Sequence, residues 1–134
     1  MISTLLVSKD RSIFSNIETL LWENQFQIEW CDTGNSALSI FKKKTIDLLI
    51  TAETLLDMTG RGFIESIIQN YPMTNCAVAS PQTKKKFHQA YEGLGVLMQL
   101  TVMPGRKESE DLVNRFSRIY GLQKIIKISG ESNR

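Results

Sequence analysis

The chain is poor in the residues that build metal centres and disulfide frameworks. It has two cysteines, Cys31 and Cys76, and one histidine, His88. A structural zinc site takes about four Cys or His ligands, so three scattered candidates without CxxC spacing argue against one. Both cysteines read as small buried hydrophobes. Only three prolines and eight glycines occur in 134 residues, which excludes collagen-like and low-complexity chains. Charge of one sign is also lacking. Sixteen Lys and Arg against fourteen Asp and Glu leave a net charge of +2, too little to single out nucleic acid as a partner. No apolar run approaches the roughly 20 residues that span a bilayer. The segment Met1–Val7 meets Lys9-Asp10 before any apolar region of signal-peptide length. These absences lead to the expectation of a cytoplasmic protein with no membrane segment, metal or cofactor.

What is present is ordinary globular composition, 42% hydrophobic and 22% charged, in a length that suits one domain. Short apolar runs alternate with amphipathic segments. Leu5-Leu6-Val7 is a short strand; Ile13, Ile17, Leu20 and Leu21 then recur at helical spacing. Phe26–Trp30 alternates as a strand, and Ala37, Leu38 and Phe41 form a second helical stripe closed by Lys42-Lys43-Lys44. Ile46–Thr51 is the most apolar run and suits a central strand buried on both faces. A third helix carries Phe63, Ile64, Ile67 and Ile68. Cys76–Ala79 is a fourth strand, Thr83–Glu92 a fourth helix, Val96–Leu100 a fifth strand, and a last helix carries Leu112, Val113, Phe116, Ile119 and Tyr120. The order (βα)5 predicts an α/β fold: a five-stranded parallel sheet between two helical layers, flavodoxin-like. Residues 1–121 are expected to form this domain, and 122–134 a C-terminal tail or linker.

Ligands in such sheets sit at the carboxyl ends of the strands. The residues there are Ser8, Lys9 and Asp10 after the first strand, Ala52, Glu53 and Thr54 after the third, Ser80 and Pro81 after the fourth, and Val102, Met103 and Pro104 after the fifth. They contain no nucleophile with a base, so no catalytic residue is named. Regular alternation would turn Glu53 away from the side on which Ala52 lies.

The pattern resembles the receiver domain of response regulators. The segment Ile46-Asp47-Leu48-Leu49-Ile50-Thr51-Ala52 is similar to the receiver strand that ends at the phospho-accepting aspartate. Asp57-Met58-Thr59-Gly60 resembles the loop that follows it, and Thr33-Gly34-Asn35-Ser36-Ala37-Leu38 the opening of the second receiver helix. Thr4–Ile17 and Pro104 complete the likeness over residues 4 to 120. The resemblance implies a degenerate phosphorylation pocket. Ser8 and Lys9 stand at the metal-binding acidic pair, leaving only Asp10 acidic. Ala52 stands at the acceptor, Ser80 keeps the hydroxyl that senses the phosphoryl group, and Met103 replaces the lysine. Leu100 aligns with the switch aromatic. Lys9 is expected near the lost metal position, paired with Asp10 or Asp57. A cis Met103–Pro104 bond is also a receiver-like expectation.

Together these give a phosphorylation-independent pseudo-receiver, a protein-interaction module of bacterial signalling. The resemblance puts its partner, another signalling protein or a second copy, on the fourth helix, fifth strand and last helix, with Phe87, Tyr91, Leu100 and Tyr120 as the face. The tail Ile126–Ser132 is similar to the opening of the ATPase domain of sigma-factor-dependent activators, which makes a C-terminal effector domain a candidate neighbour. The alternative is an enzyme or small-ligand binder on a flavodoxin-like scaffold, with Lys9 and Ser80 holding an anion. Asp32–Ser36 also resembles a flavodoxin phosphate loop, although a helix N-cap explains it as well. Lys84-Lys85-Lys86 reads as a solvated face, without support for direct nucleic-acid binding.

Overall fold

A computed structural model describes residues 1–127, with side chains through residue 121. Five strands run Ser3–Val7 (β1), Gln27–Cys31 (β2), Leu48–Ala52 (β3), Asn75–Ala79 (β4) and Met98–Leu100 (β5). All neighbours are parallel and the order across the sheet is β2-β1-β3-β4-β5. The helices are Ser15–Glu23 (α1, preceded by a 3-10 turn over Arg11–Phe14), Gly34–Lys43 (α2), Gly60–Asn70 (α3), Lys84–Ala90 (α4) and Arg106–Lys127 (α5). This is the expected (βα)5 arrangement.

The two faces of the sheet carry separate cores, as strand alternation requires. Leu5, Val7, Leu49 and Val78 point to one side and pack with Ala37, Phe41, Phe63, Ile64, Ile67 and Phe87 of α2, α3 and α4. Leu6, Leu48, Ile50, Ala77 and Ala79 point to the other and pack with Ile17, Leu21, Leu112, Val113 and Phe116 of α1 and α5. The helices begin where hydroxyl caps allow. Thr33, Thr59 and Thr83 each accept a hydrogen bond from the amide three residues on.

Several boundaries differ from the sequence reading. The central strand starts at Leu48, because Asp47 is used at the β1 edge, where its carboxylate accepts from the Ser3 amide at 2.9 Å. The fourth helix ends at Ala90, short of Glu92, and β5 is only three residues long. The last helix runs to Lys127, through the expected boundary at residue 121. Residues 128–134, and with them most of the tail that resembled an effector opening, lie outside the described residues. Among the described residues no helix is long and apolar enough to cross a membrane, and no peptide bond is cis, so the expected cis Met103–Pro104 bond is trans.

Candidate functional site

The site is assembled where the strands end. Ser8 follows β1 and is fully buried; its hydroxyl donates to the Asp10 carbonyl at 2.9 Å and accepts from the Trp30 indole at 3.2 Å. Asp10 caps the 3-10 turn, accepting from the Ser12 amide at 2.9 Å and hydroxyl at 2.7 Å. Those hydrogen bonds, the hydroxyl's first, hold its carboxyl below the usual range. Lys9 is exposed and forms no ion pair among the described residues, so the expected pairing with Asp10 or Asp57 is not formed. Both carboxylates are already engaged. Asp57 accepts from the Gly34 amide at 2.8 Å and the Asn35 amide at 3.0 Å, and these bonds lower its pKa.

That contact also explains Gly34 and Gly60. A Cβ on Gly34 would strike the Met58 side chain, and one on Gly60 would lie 2.6 Å from the Ala52 carbonyl. The β3–α3 loop is thus pressed onto both the start of α2 and the end of β3. The flavodoxin-like reading of Asp32–Ser36 gives way to the helix-cap reading, because the loop's amides are taken by Asp57 and by the Thr33 hydroxyl.

Glu53 is the residue that sequence reasoning missed. The chain leaves strand geometry after Ala52, and the Gly60 amide bonds the Glu53 carbonyl at 2.7 Å, so strict alternation no longer applies. The Glu53 carboxylate swings toward β4 and gathers three donors: the Ser80 hydroxyl at 2.7 Å, the Gln82 side-chain amide at 2.5 Å and the Tyr91 hydroxyl at 2.9 Å. Ser80 is 2% exposed and Tyr91 4% exposed. Burial first, and then the Glu53 carboxylate that accepts its proton, push the Tyr91 phenol far above its ordinary value. Ser80 therefore spends its hydrogen on Glu53, and Lys9 and Ser80 do not form the anion site of the alternative reading.

The cleft around Ala52 is mostly apolar. It holds about 280 Å³ and is lined by Ile13, Ala52, Ala79, Pro81 and Val102, with Ser8, Lys9, Asp10, Glu53 and Thr54 at its margins. Val102 faces it; Met103, assigned there from its place before Pro104, is 64% exposed and does not line it. The reason is that β5 stops at Leu100 and the next residues bend, fixed by the Glu108 carboxylate, which accepts from the Thr101 amide at 2.6 Å and hydroxyl at 2.7 Å. No group of three or more His, Cys, Asp or Glu side chains that could hold a metal occurs among the described residues. A larger cleft of about 420 Å³, lined by Phe41, Lys42, Lys43, Tyr71 and Met73, lies at the opposite edge of the sheet. Its lining includes Lys44, Asp47 and Thr74, and it contains none of the residues named for the phosphorylation pocket or the partner face.

The expected partner face is not an exposed aromatic patch. Phe87, Tyr91 and Leu100 are buried, because Phe87 and Tyr91 stack on each other at 4.3 Å over the α4 side of the sheet while Leu100 joins the α5 core. Tyr120 is half-buried and stacks on Phe116 at 5.3 Å. What this face offers is a groove of about 360 Å³, lined by the edges of Phe87 and Tyr91 with His88, Val96, Met98 and Gln99.

No family model and no curated protein matches the chain. Solved structures do. The signal receiver domain of an HD domain-containing protein from Pseudomonas fluorescens is similar with a TM-score of 0.77 at 20% identity, over 92% of each chain. A chemotaxis response regulator of Vibrio cholerae gives 0.77 at 20% identity, over 87% of this chain and 98% of its own. A CheY-like receiver domain protein from Methanospirillum hungatei gives 0.78 at 15% identity, over 92% of this chain and 97% of its own. At these identities the likeness establishes the fold, which is that of a receiver domain.

Proposed function

We propose that the chain is a pseudo-receiver, a signalling module whose output conformation does not depend on aspartyl phosphate. One observation carries the reading. Ala52 offers a methyl group where an acceptor would stand, and the neighbouring carboxylate of Glu53 already takes the Ser80 hydroxyl at 2.7 Å. A hydroxyl that is hydrogen-bonded inside the protein has no donor left for an incoming phosphoryl group. Asp10, the remaining acid of the first-strand turn, is committed to capping that turn, and Lys9 beside it repels a divalent cation.

The module acts by binding. Its partner is another signalling protein or a second copy, and the groove over α4 and β5 supports that face as a contact. Residues 1–121 serve as the module in a bacterial cytoplasm, with 122–134 as its C-terminal tail or linker. Incubation with acetyl phosphate and magnesium, read by intact mass, tests the reading. No phosphoryl adduct is expected on the wild-type chain or on Ala52→Asp, because one restored carboxylate rebuilds neither the metal site nor the countercharge. An adduct on either protein refutes it.

A further inference from the structure

The geometry points to the cleft at the amino edge of the sheet as a docking site for an acidic segment of a partner protein, an apolar or aromatic side chain packing on Tyr71 and Met73 and the segment's carboxylates meeting Lys42 and Lys43. No residue of the phosphorylation pocket or of the groove over α4 lines this cleft. The inference therefore stands or falls apart from the reading above.

The cleft lies where α2 and α3 end and the chain turns back into β3 and β4. Its volume of about 420 Å³ falls in the range of recognition pockets, about 300–1,000 Å³. Phe41 and Ile46 are buried beneath it, and the Tyr71 ring lies tilted on Phe41 at 4.9 Å. Met73 is 75% exposed on the rim. Ring and thioether together offer an adaptable apolar seat for one anchoring side chain.

Charge selects the occupant once every carboxylate is counted. The lining holds three lysines, Lys42, Lys43 and Lys44, and one acid, Asp47. Asp47 keeps its charge although the Ser3 amide bonds it. Glu29, outside the lining, pairs with Lys44 at 3.2 Å and offsets it. Lys42 and Lys43 are exposed and pair with no acid among the described residues. Set against Asp47 alone, these two leave the side-chain charge of the cleft positive.

The wall from Phe41 to Lys43 also carries the last carbonyls of α2. They accept no hydrogen bond from outside the helix among the described residues, and they hold the partial negative charge of a helix end. This mixture of ammonium and carbonyl groups separates the ligand classes. A phosphate ion or a lipid headgroup answers the lysines but sets its oxygens against the carbonyls. A peptide brings both complements, carboxylates for the lysines and backbone N–H groups for the carbonyls.

A random-peptide phage library, panned on the immobilised full chain, tests this. Enriched peptides are expected to carry an excess of Asp and Glu around an apolar or aromatic residue and to shift the Met73 methyl and Tyr71 ring resonances. Lys42→Glu with Lys43→Glu is expected to weaken them about tenfold or more, and Met73→Ser about fivefold. Lys42→Gln with Lys43→Gln removes the charges without adding acids to the helix end and should weaken them about threefold or more. All three side chains are exposed, so circular dichroism of the variants should match wild type. No enrichment over a blank surface overturns the proposal. So does enrichment of peptides without the acidic excess, of peptides that bind both lysine variants as tightly as wild type, or of peptides that shift resonances of Val102 or α4 instead. Inorganic phosphate and phosphatidylserine vesicles are titrated in parallel. If either shifts the Met73 and Tyr71 resonances while no peptide does, the peptide assignment is overturned; silence from both beside a peptide response supports it.

Discussion

Removing the Glu53 carboxylate should loosen the β4–α4 loop and cost measurable stability. Glu53→Ala strips acceptors from the Ser80 hydroxyl, the Gln82 amide and the Tyr91 phenol at once. A hydrogen bond to a charged group contributes about 1.5–3 kcal/mol, and a buried donor left unpaired costs about 1–3 kcal/mol. Ser80 and Tyr91 are buried, whereas Glu53 is half-buried and Gln82 can turn to water. The loss should therefore be about 2–3 kcal/mol rather than the sum of three bonds. For a domain of this length that lowers Tm by roughly 6–12 °C. Urea unfolding gives the free energy, and hydrogen exchange gives the location, with the Gln82 amide, bonded to Ser80 Oγ at 3.1 Å, losing protection first. Glu53→Gln should fall between, since one amide oxygen cannot serve three donors. Tyr91→Phe alone should cost about 1 kcal/mol, and the double variant should show a coupling of about 1 kcal/mol. A loss below about 0.5 kcal/mol in Glu53→Ala, or no coupling to Tyr91, refutes the clamp.

Further outcomes follow from single side chains. The Tyr91 phenol has a folded-state pKa raised above its unfolded value near 10, so its contribution is complete below that pH and is lost as pH climbs from there through the folded value; pH-dependent urea melts should show a decline above pH 10 that is shallower in Tyr91→Phe. Burial pushes the Cys31 thiol up to about 11 and the Cys76 thiol up to about 12, so neither should react with Ellman's reagent in the native protein at pH 8, and both should react after unfolding. The Thr4 hydroxyl is 1% exposed with no hydrogen-bond partner among the described residues. Thr4→Val keeps the shape and removes that orphan, so chemical denaturation should show a gain of about 0.5–1 kcal/mol.

Alternation of β and α segments was legible because each strand carries its own short apolar run and each helix its own stripe. Two-sided burial of Leu48, Leu49 and Ile50 is written in their continuity. The edge was legible only as a list of positions. Glu53 was misjudged because period-2 reasoning assumes an unbroken strand, and here a bend held by Gly60 follows Ala52 directly. Its signal was present in composition: a hydroxyl after β4 and a phenol at the end of α4 need an acceptor, and Glu53 is the nearest carboxylate in strand order. Met103 was misplaced because counting back from Pro104 fixes sequence distance but not direction. The spacing of Phe87 and Tyr91 fits a docking stripe and a core stripe equally, and only the stacking of the two rings over the sheet separates them.

The clamp decides which partners the fold can serve. Ser80 and Gln82 bracket the β4–α4 loop and Tyr91 closes α4, so one carboxylate fixes both the loop and the helix that carries the groove. A partner that fits this conformation binds with no conformational cost. A partner that needs the loop opened must first break the bonds to Glu53, and about 2 kcal/mol of opening lowers its apparent affinity about thirtyfold. A covalent switch would supply that energy from outside, whereas a methyl group at Ala52 provides no attachment point for one. On the proposed phosphorylation-independent reading, discrimination between partners comes from binding energy alone.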